Sequence, residues 1–276
     1  MGMLRNAPRR IGRFVTGKWG HDDEDFPVVD VSEQDGVRSL HLGSATIQSS
    51  MRVAAPYELE LTYTRGMMAF LLFARTAKTV LLVGLGGGSI PKFIHRYLPE
   101  LHITTVELNP DVITAARAQF LLPENDERLN VVEGDGAAYI QAHPARHDVL
   151  MLDAYDSTGL APALSSQEFY DNCRRALTMD GILVVNLWGS DKHFDVYLQR
   201  IEQSFESRVL CLPTGRPGNI VVFAFKRYTG DLRIASLRER AKKLEAGIES
   251  QRRIEFVEFV ERLQDYNLHS SNRLML

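Results

Sequence analysis

The stretch Thr79-Val-Leu-Leu-Val-Gly-Leu-Gly-Gly-Gly-Ser89, followed by His102-Ile-Thr-Thr-Val-Glu107, decides the fold. A short apolar run enters a turn of four glycines, and a second run ends in a carboxylate about 20 residues beyond the loop. This is the spacing of a nucleoside site in an open α/β sheet, where bare backbone and a ribose-binding acid share one edge. Glycine lets the backbone approach a ligand with no Cβ in the way. Alone, the loop also reads as a tight strand–helix turn, so the neighbouring segments carry the argument.

Strands and helices alternate outward from Lys78. Thr79–Val83, His102–Val106, Leu129–Glu133, Asp148–Leu152, Gly181–Leu187 and Asn219–Lys226 read as strands. Ser89–Tyr97, Asn109–Gln119 and Asp191–Phe205 read as helices, the second with Asn109 as N-cap and Pro110 at its first position. The capping box Ser165-Ser-Gln-Glu168 opens another, through Ala176. The pattern predicts an α/β fold: a mostly parallel, doubly wound, Rossmann-like sheet. Ahead of it, residues 27–62 read as β, with a hairpin turn at Glu33-Gln-Asp-Gly36 and a third strand over Ala45–Met51. A helix is expected over Tyr63–Ala74, and a charged helical pair over Leu232–Leu263. The expected organisation is a flexible tail (1–25), an N-terminal β-rich domain with its linking helix (26–75), and a nucleoside-binding catalytic domain with a helical tail (76–276).

Bulk properties exclude several classes. The 276 residues carry a formal charge of -3, which argues against nucleic-acid binding by bulk electrostatics. No apolar run approaches a membrane span, and the basic N-terminus lacks the apolar core of a secretory signal. Cys173 and Cys211 form no paired motif, which fits a reducing cytoplasm. His143 and His147 flank Pro144 in an expected loop with no third ligand nearby, so no metal site is expected.

Ligands of such sheets sit beyond the carboxyl ends of the strands. Candidate groups fall there on four successive strands: the loop Gly84-Leu-Gly-Gly-Gly88, then Glu107, then Gly134-Asp-Gly136, then Asp153-Ala-Tyr-Asp156. Glu107 is poised to accept from two ribose hydroxyls, and Asp135 can bond an adenine amino group. A nicotinamide dinucleotide would use the first two groups but needs none of the later acids. An adenosyl sulfonium uses all of them, since it carries adenine, ribose and a permanent positive charge but no phosphate.

These segments resemble the polyamine aminopropyltransferases, the spermidine synthase family. The resemblance runs from about Val28 to Lys226 and includes Val80-Leu-Leu-Val-Gly-Leu-Gly-Gly-Gly88, Val106-Glu-Leu-Asn-Pro-Asp-Val112, Glu133-Gly-Asp-Gly136 and Leu152-Asp-Ala-Tyr-Asp156. It also includes Glu168–Leu177 through Asp180–Leu183. It implies an S-adenosylmethionine-dependent transferase fold preceded by a small β domain. The co-substrate would be decarboxylated S-adenosylmethionine, held by Gly84, Gly86, Gly87, Gly88, Glu107, Asp135, Gly136 and Asp153, with Gln48 close by. Asp153 and Asp156 would face a small-molecule amine acceptor, and a homodimer is implied.

An alkylammonium has a pKa of about 10 and no lone pair, so the acceptor nitrogen must be held neutral. Asp153 is the candidate proton acceptor, and Asp156 the anchor for a second positive centre. The chain departs from the family pattern at four places. Gly87 stands where the family loop carries an aspartate for the donor's amine. Thr64 aligns with a catalytic tyrosine, leaving Tyr63 one residue off as the catalytic candidate. Gly215 replaces a late-loop tyrosine beside Arg216, and Asn186 replaces a longer glutamine. The adenosine side is intact, so two further readings stand beside aminopropyl transfer: methyl transfer from intact S-adenosylmethionine, and a catalytically silent nucleoside-binding or scaffold homologue.

Overall fold

The computed structural model describes residues 8–14, 26–154, 162–215, 218–228, 230–249 and 254–276. Near the N-terminus, β1 (Arg9–Phe14), β2 (Val29–Gln34), β3 (Val37–Leu42) and β4 (Ile47–Arg52) form an antiparallel sheet in chain order. Alternation buries Val29 and Val31 on one face of β2, with Leu40 and Met51 from its neighbours. Asp35 and Gly36 at φ 51° and 73° make the tight turn between β2 and β3. Residues 9–14 depart from the expected solvated tail. They pair with β2, because Ile11 and Phe14 pack on the core and Arg10 pairs with Asp30.

The linking segment is α1 (Thr62–Met67) followed by a tighter turn of 3-10 helix over Met68–Leu72, in place of the single helix expected to Ala74. The tighter winding goes with burial of Met67, Met68, Ala69, Phe70 and Leu72 almost around the chain.

The main sheet contains β5 (Thr79–Val83), β6 (His102–Glu107), β7 (Leu129–Glu133), β8 (His147–Leu152), β9 (Leu177–Trp188), β10 (Val209–Pro213) and β11 (Asn219–Phe225). Their order is β10-β11-β9-β8-β5-β6-β7; β5 to β9 are mutually parallel, and β11 runs antiparallel to both of its neighbours, β9 and β10. The connections are α2 (Ser89–Tyr97), α3 (Pro110–Phe120), α4 (Gly136–Ala142), α5 (Gln167–Ala176) and α6 (Phe194–Ser204). β5 is apolar from Val80 to Val83 because both faces are covered. Val80 and Leu82 join one core with Phe93 and Ile94 of α2, while Leu81 and Val83 join the other with Phe169 and Tyr170 of α5. Past the sheet, α7 (Ile234–Gly247) and α8 (Phe256–Tyr266) pack together, with Phe256, Phe259, Val260 and Leu263 buried.

Local signals place the ends well. Asn109 caps α3, its side chain accepting from Asp111 N–H at 2.9 Å. The cap of α5 is Ser166, one residue past the expected Ser165, and it accepts from Phe169 N–H at 3.1 Å. β9 begins at Leu177, directly after α5, rather than at Gly181. The strand order reverses between β5 and β8, so crossovers leave in opposite directions there and open a crevice at the strands' carboxyl ends.

Candidate active site

A cavity of about 980 Å³ occupies that crevice. Its floor is the ends of β5, β6, β8 and β9, and its roof comes from the N-terminal sheet through Leu42, Ile47, Gln48 and Ser49. Four carboxylates line it: Glu107, Asp135, Asp153 and Asp191. No Lys, Arg or His is among its described lining residues.

One half of the cavity is built by the glycine turn. Gly84 has φ +94°, and a Cβ there would lie 2.3 Å from the Asp153 carbonyl oxygen. Gly86 also faces the cavity, with Ser49 above it. Gly87 and Gly88, expected to bind the ligand, are not among the walls. A Cβ on Gly87 would strike Phe120 Cδ1 at 2.8 Å and Ser49 Oγ at 2.9 Å, and one on Gly88 would strike Leu122. Thus the family's loop aspartate would have no room here without repacking around Phe120.

Glu107 ends β6 and accepts from Leu85 N–H at 2.8 Å through Oε2 and from Asn109 N–H at 2.9 Å through Oε1. Burial raises its pKa, and those backbone donors pull it back. A carboxylate has about four acceptor positions, so capacity remains for two ribose hydroxyls. Asp135 caps α4, with Oδ1 taking Ala137 N–H at 2.7 Å and Ala138 N–H at 3.3 Å. Asp135 and Gly136 both line the wall.

The other half centres on Asp153, at the end of β8. Its backbone N–H bonds Val83 O at 2.9 Å, fixing it beside the glycine turn. Its Oδ1 accepts from Asn186 Nδ2 at 2.8 Å, and Asn186 Oδ1 accepts in turn from Asn219 Nδ2 at 2.8 Å. Its Oδ2 faces the Tyr63 hydroxyl at 3.3 Å, which also lies 3.4 Å from the Gln48 carbonyl oxygen. Burial pushes the Asp153 pKa up to about 6, against the pull of Asn186 and Tyr63. Burial and the neighbouring carboxylate raise Tyr63 well above its ordinary value. α1 thus docks with the Tyr63 hydroxyl toward Asp153 at the end of β8. Asn186 reaches Asp153 despite being shorter than the family's glutamine.

Asp156 and Arg216 lie outside the described residues. Gly215 is not a wall of the cavity. His147, expected in a loop, is a buried residue of β8, and burial lowers its pKa to about 4. Sequence reasoning missed Ser49, Trp188, Asp191 and Asn219. Trp188 and Asp191 follow the strand-end rule on β9, so the signal was present.

The spermine/spermidine synthase domain matches residues 60–228. The chain belongs to the spermine/spermidine synthase family. A polyamine aminopropyltransferase of Chromobacterium violaceum is 40% identical over 253 residues, spanning 92% of this chain and 95% of that protein. The polyamine aminopropyltransferase of Neisseria meningitidis serogroup B is 43% identical over 243 residues, spanning 88% and 89%. A spermidine synthase solved with the transition-state analogue AdoDATO superposes with a TM-score of 0.69 at 24% identity, over 93% of this chain and 85% of that one, and shares the fold. Human methyltransferase-like protein 13, solved with SAH, gives a TM-score of 0.62 at 27% identity, over 70% and 94%.

For this member of the spermine/spermidine synthase family, Tyr63→Phe isolates the hydroxyl. Removing a donor from Asp153 Oδ2 raises the carboxyl pKa further, so the acidic limb of kcat/KM moves to higher pH, with folding stability changed by about 1 kcal/mol at most. A pH–rate profile that overlays the wild type would show that the hydroxyl does not tune Asp153.

Proposed function

We propose that this protein transfers an aminopropyl group from decarboxylated S-adenosylmethionine to an amine. The observation that carries this reading is the cavity wall: four carboxylates and no cationic side chain among its described residues. Such a wall suits a sulfonium donor and an amine acceptor together and opposes phosphate. The acceptor nitrogen attacks the carbon beside the sulfonium. The C–N bond forms as the C–S bond breaks, the electron pair returns to sulfur, and neutral methylthioadenosine leaves. The proton shed by the attacking nitrogen goes to Asp153, which is ionised above about pH 6. In-line positioning in an enclosed cleft supplies much of the remaining acceleration. Pairing of two copies and a cytoplasmic setting belong to the same family reading. No helix among the described residues is long and apolar enough to cross a membrane.

The donor distinguishes this reading from methyl transfer, which Gly87 and the likeness to methyltransferase-like protein 13 favour. Intact S-adenosylmethionine brings a carboxylate into a wall of carboxylates. The decarboxylated donor is therefore expected to raise the melting temperature more at equal concentration; at 100 times its Kd the stabilisation is about 2.7 kcal/mol. A larger shift with the intact donor would give the site to methyl transfer. No shift with either would leave a silent homologue.

A further inference from the structure

α1 sets the place of Tyr63, yet so short a helix cannot fix its own direction: it starts after Leu61 with no side-chain cap. Contacts on two sides fix it instead. Tyr63 and Gly66, three residues apart, share a face. Gly66 lies flush on β11 and the loop before it, where a Cβ would stand 2.5 Å from Thr214 Cγ2 and 3.4 Å from Val221 Cγ2. Arg65, two residues on from Tyr63, points to the opposite side of the helix and is buried. Its Nη1 donates to the carbonyls of Leu59 at 3.0 Å and Glu60 at 2.9 Å, in the segment that leads into α1. Its Nε donates to both carboxylate oxygens of Glu255, at 3.2 and 3.0 Å. Glu255 is the residue from which α8 starts, far along the chain in the helical tail. Neither Arg65 nor Glu255 is a wall of the cavity.

We infer that Arg65 and Glu255 are positioning residues: the helical tail grips the back of α1 and so holds the Tyr63 hydroxyl on Asp153. This rests on the aminopropyl reading and makes the tail part of what orders the reaction centre. A buried guanidinium that loses its carboxylate must turn toward another partner or water, and the backbone it holds moves with it. The bare surface of Gly66 has no side chain to key α1 into the sheet and resist that slide.

The test is a double-mutant cycle on the acidic limb of kcat/KM. Glu255→Ala is expected to move that limb to higher pH by about 0.5–1 unit, as loss of the Tyr63 hydroxyl does, with the KM of the sulfonium donor unchanged. Added to Tyr63→Phe, Glu255→Ala should move it no further. Glu255→Gln keeps an oxygen for Arg65 Nε and should keep the wild-type limb. A Glu255→Ala profile that overlays the wild type would overturn the inference. An equal shift in both backgrounds would overturn it too, since loosened packing that bypasses Tyr63 gives that result. The Asp153 carboxyl can also be read without turnover, as the melting temperature of each protein less that of its Asp153→Asn counterpart, followed against pH. The pH at which this difference changes should rise in Glu255→Ala, and should not rise when the same change is made in Tyr63→Phe. Should the wild type form no product, the transferase reading fails, and the melting comparison still decides for or against Glu255.

Discussion

Asp153→Asn is expected to lower kcat by about 10²–10⁴ while leaving the affinity for methylthioadenosine nearly unchanged. The substitution suits the local hydrogen bonds. The asparagine oxygen can accept from Asn186 Nδ2 as the carboxylate does, and its amide can donate to the Tyr63 hydroxyl. What it removes is the group proposed to take the proton. The wild type should lose activity as the pH falls through about 6, where Asp153 protonates in the folded protein. The same shift has a consequence for stability. The carboxyl pKa is raised from 3.8 to about 6, so the fold holds a proton that the unfolded chain has already released. The stability from that proton is complete below about pH 4 and is lost as the pH rises through about 6. Asp153→Asn should therefore melt higher than the wild type at pH 8 and nearly level with it at pH 4. Turnover in Asp153→Asn equal to the wild type would remove this carboxylate from the mechanism; equal melting at both pH values would show that its burial is not costly.

Gly84→Ala is expected to cost about 4 kcal/mol of stability, combining a left-handed backbone with overpacking. At φ +94° a side chain strains the backbone, and the added Cβ would stand 2.3 Å from Asp153 O and 3.1 Å from Ala154 Cα. Relief requires β5 and β8 to part at their carboxyl ends, where Asp153 N–H bonds Val83 O. The variant should show a much lower urea midpoint and lose donor binding. A midpoint within the range of about 0.5 kcal/mol typical of neutral surface changes would show that the turn is not closed against Asp153.

The half of the cavity around the glycine turn was legible in the chain because its signals are local. An apolar run, a glycine turn and an acid at the next strand end are fixed by sequence spacing, and Gly84, Gly86, Glu107, Asp135 and Asp153 all line the cavity. Gly87 and Gly88 share the motif but not the wall, since which face of a turn meets the ligand depends on what packs behind it, here Phe120 and Leu122. Tyr63 could not be placed by alignment of a short helix, because its direction is set by how α1 docks against β9 and β11. Lys92 was invisible for the same reason. On α2 it is fully buried, its ammonium held by the carbonyls of Pro56 at 2.9 Å and Phe120 at 2.5 Å. Burial lowers its pKa to about 7. It ties the segment entering α1 to the end of α3, a link between distant parts of the chain that no spacing rule encodes.

The central claim is that anionic walls bring together a sulfonium nucleoside and an amine for transfer of three carbons and a nitrogen. Mass spectrometry of the reaction with butane-1,4-diamine and an equimolar mixture of decarboxylated and intact S-adenosylmethionine tests it most directly. The expected result is the diamine lengthened by one aminopropyl unit, with methylthioadenosine in equal amount and no methylated amine. A methylated product accompanied by S-adenosylhomocysteine, or unconsumed donors after prolonged incubation, would contradict it.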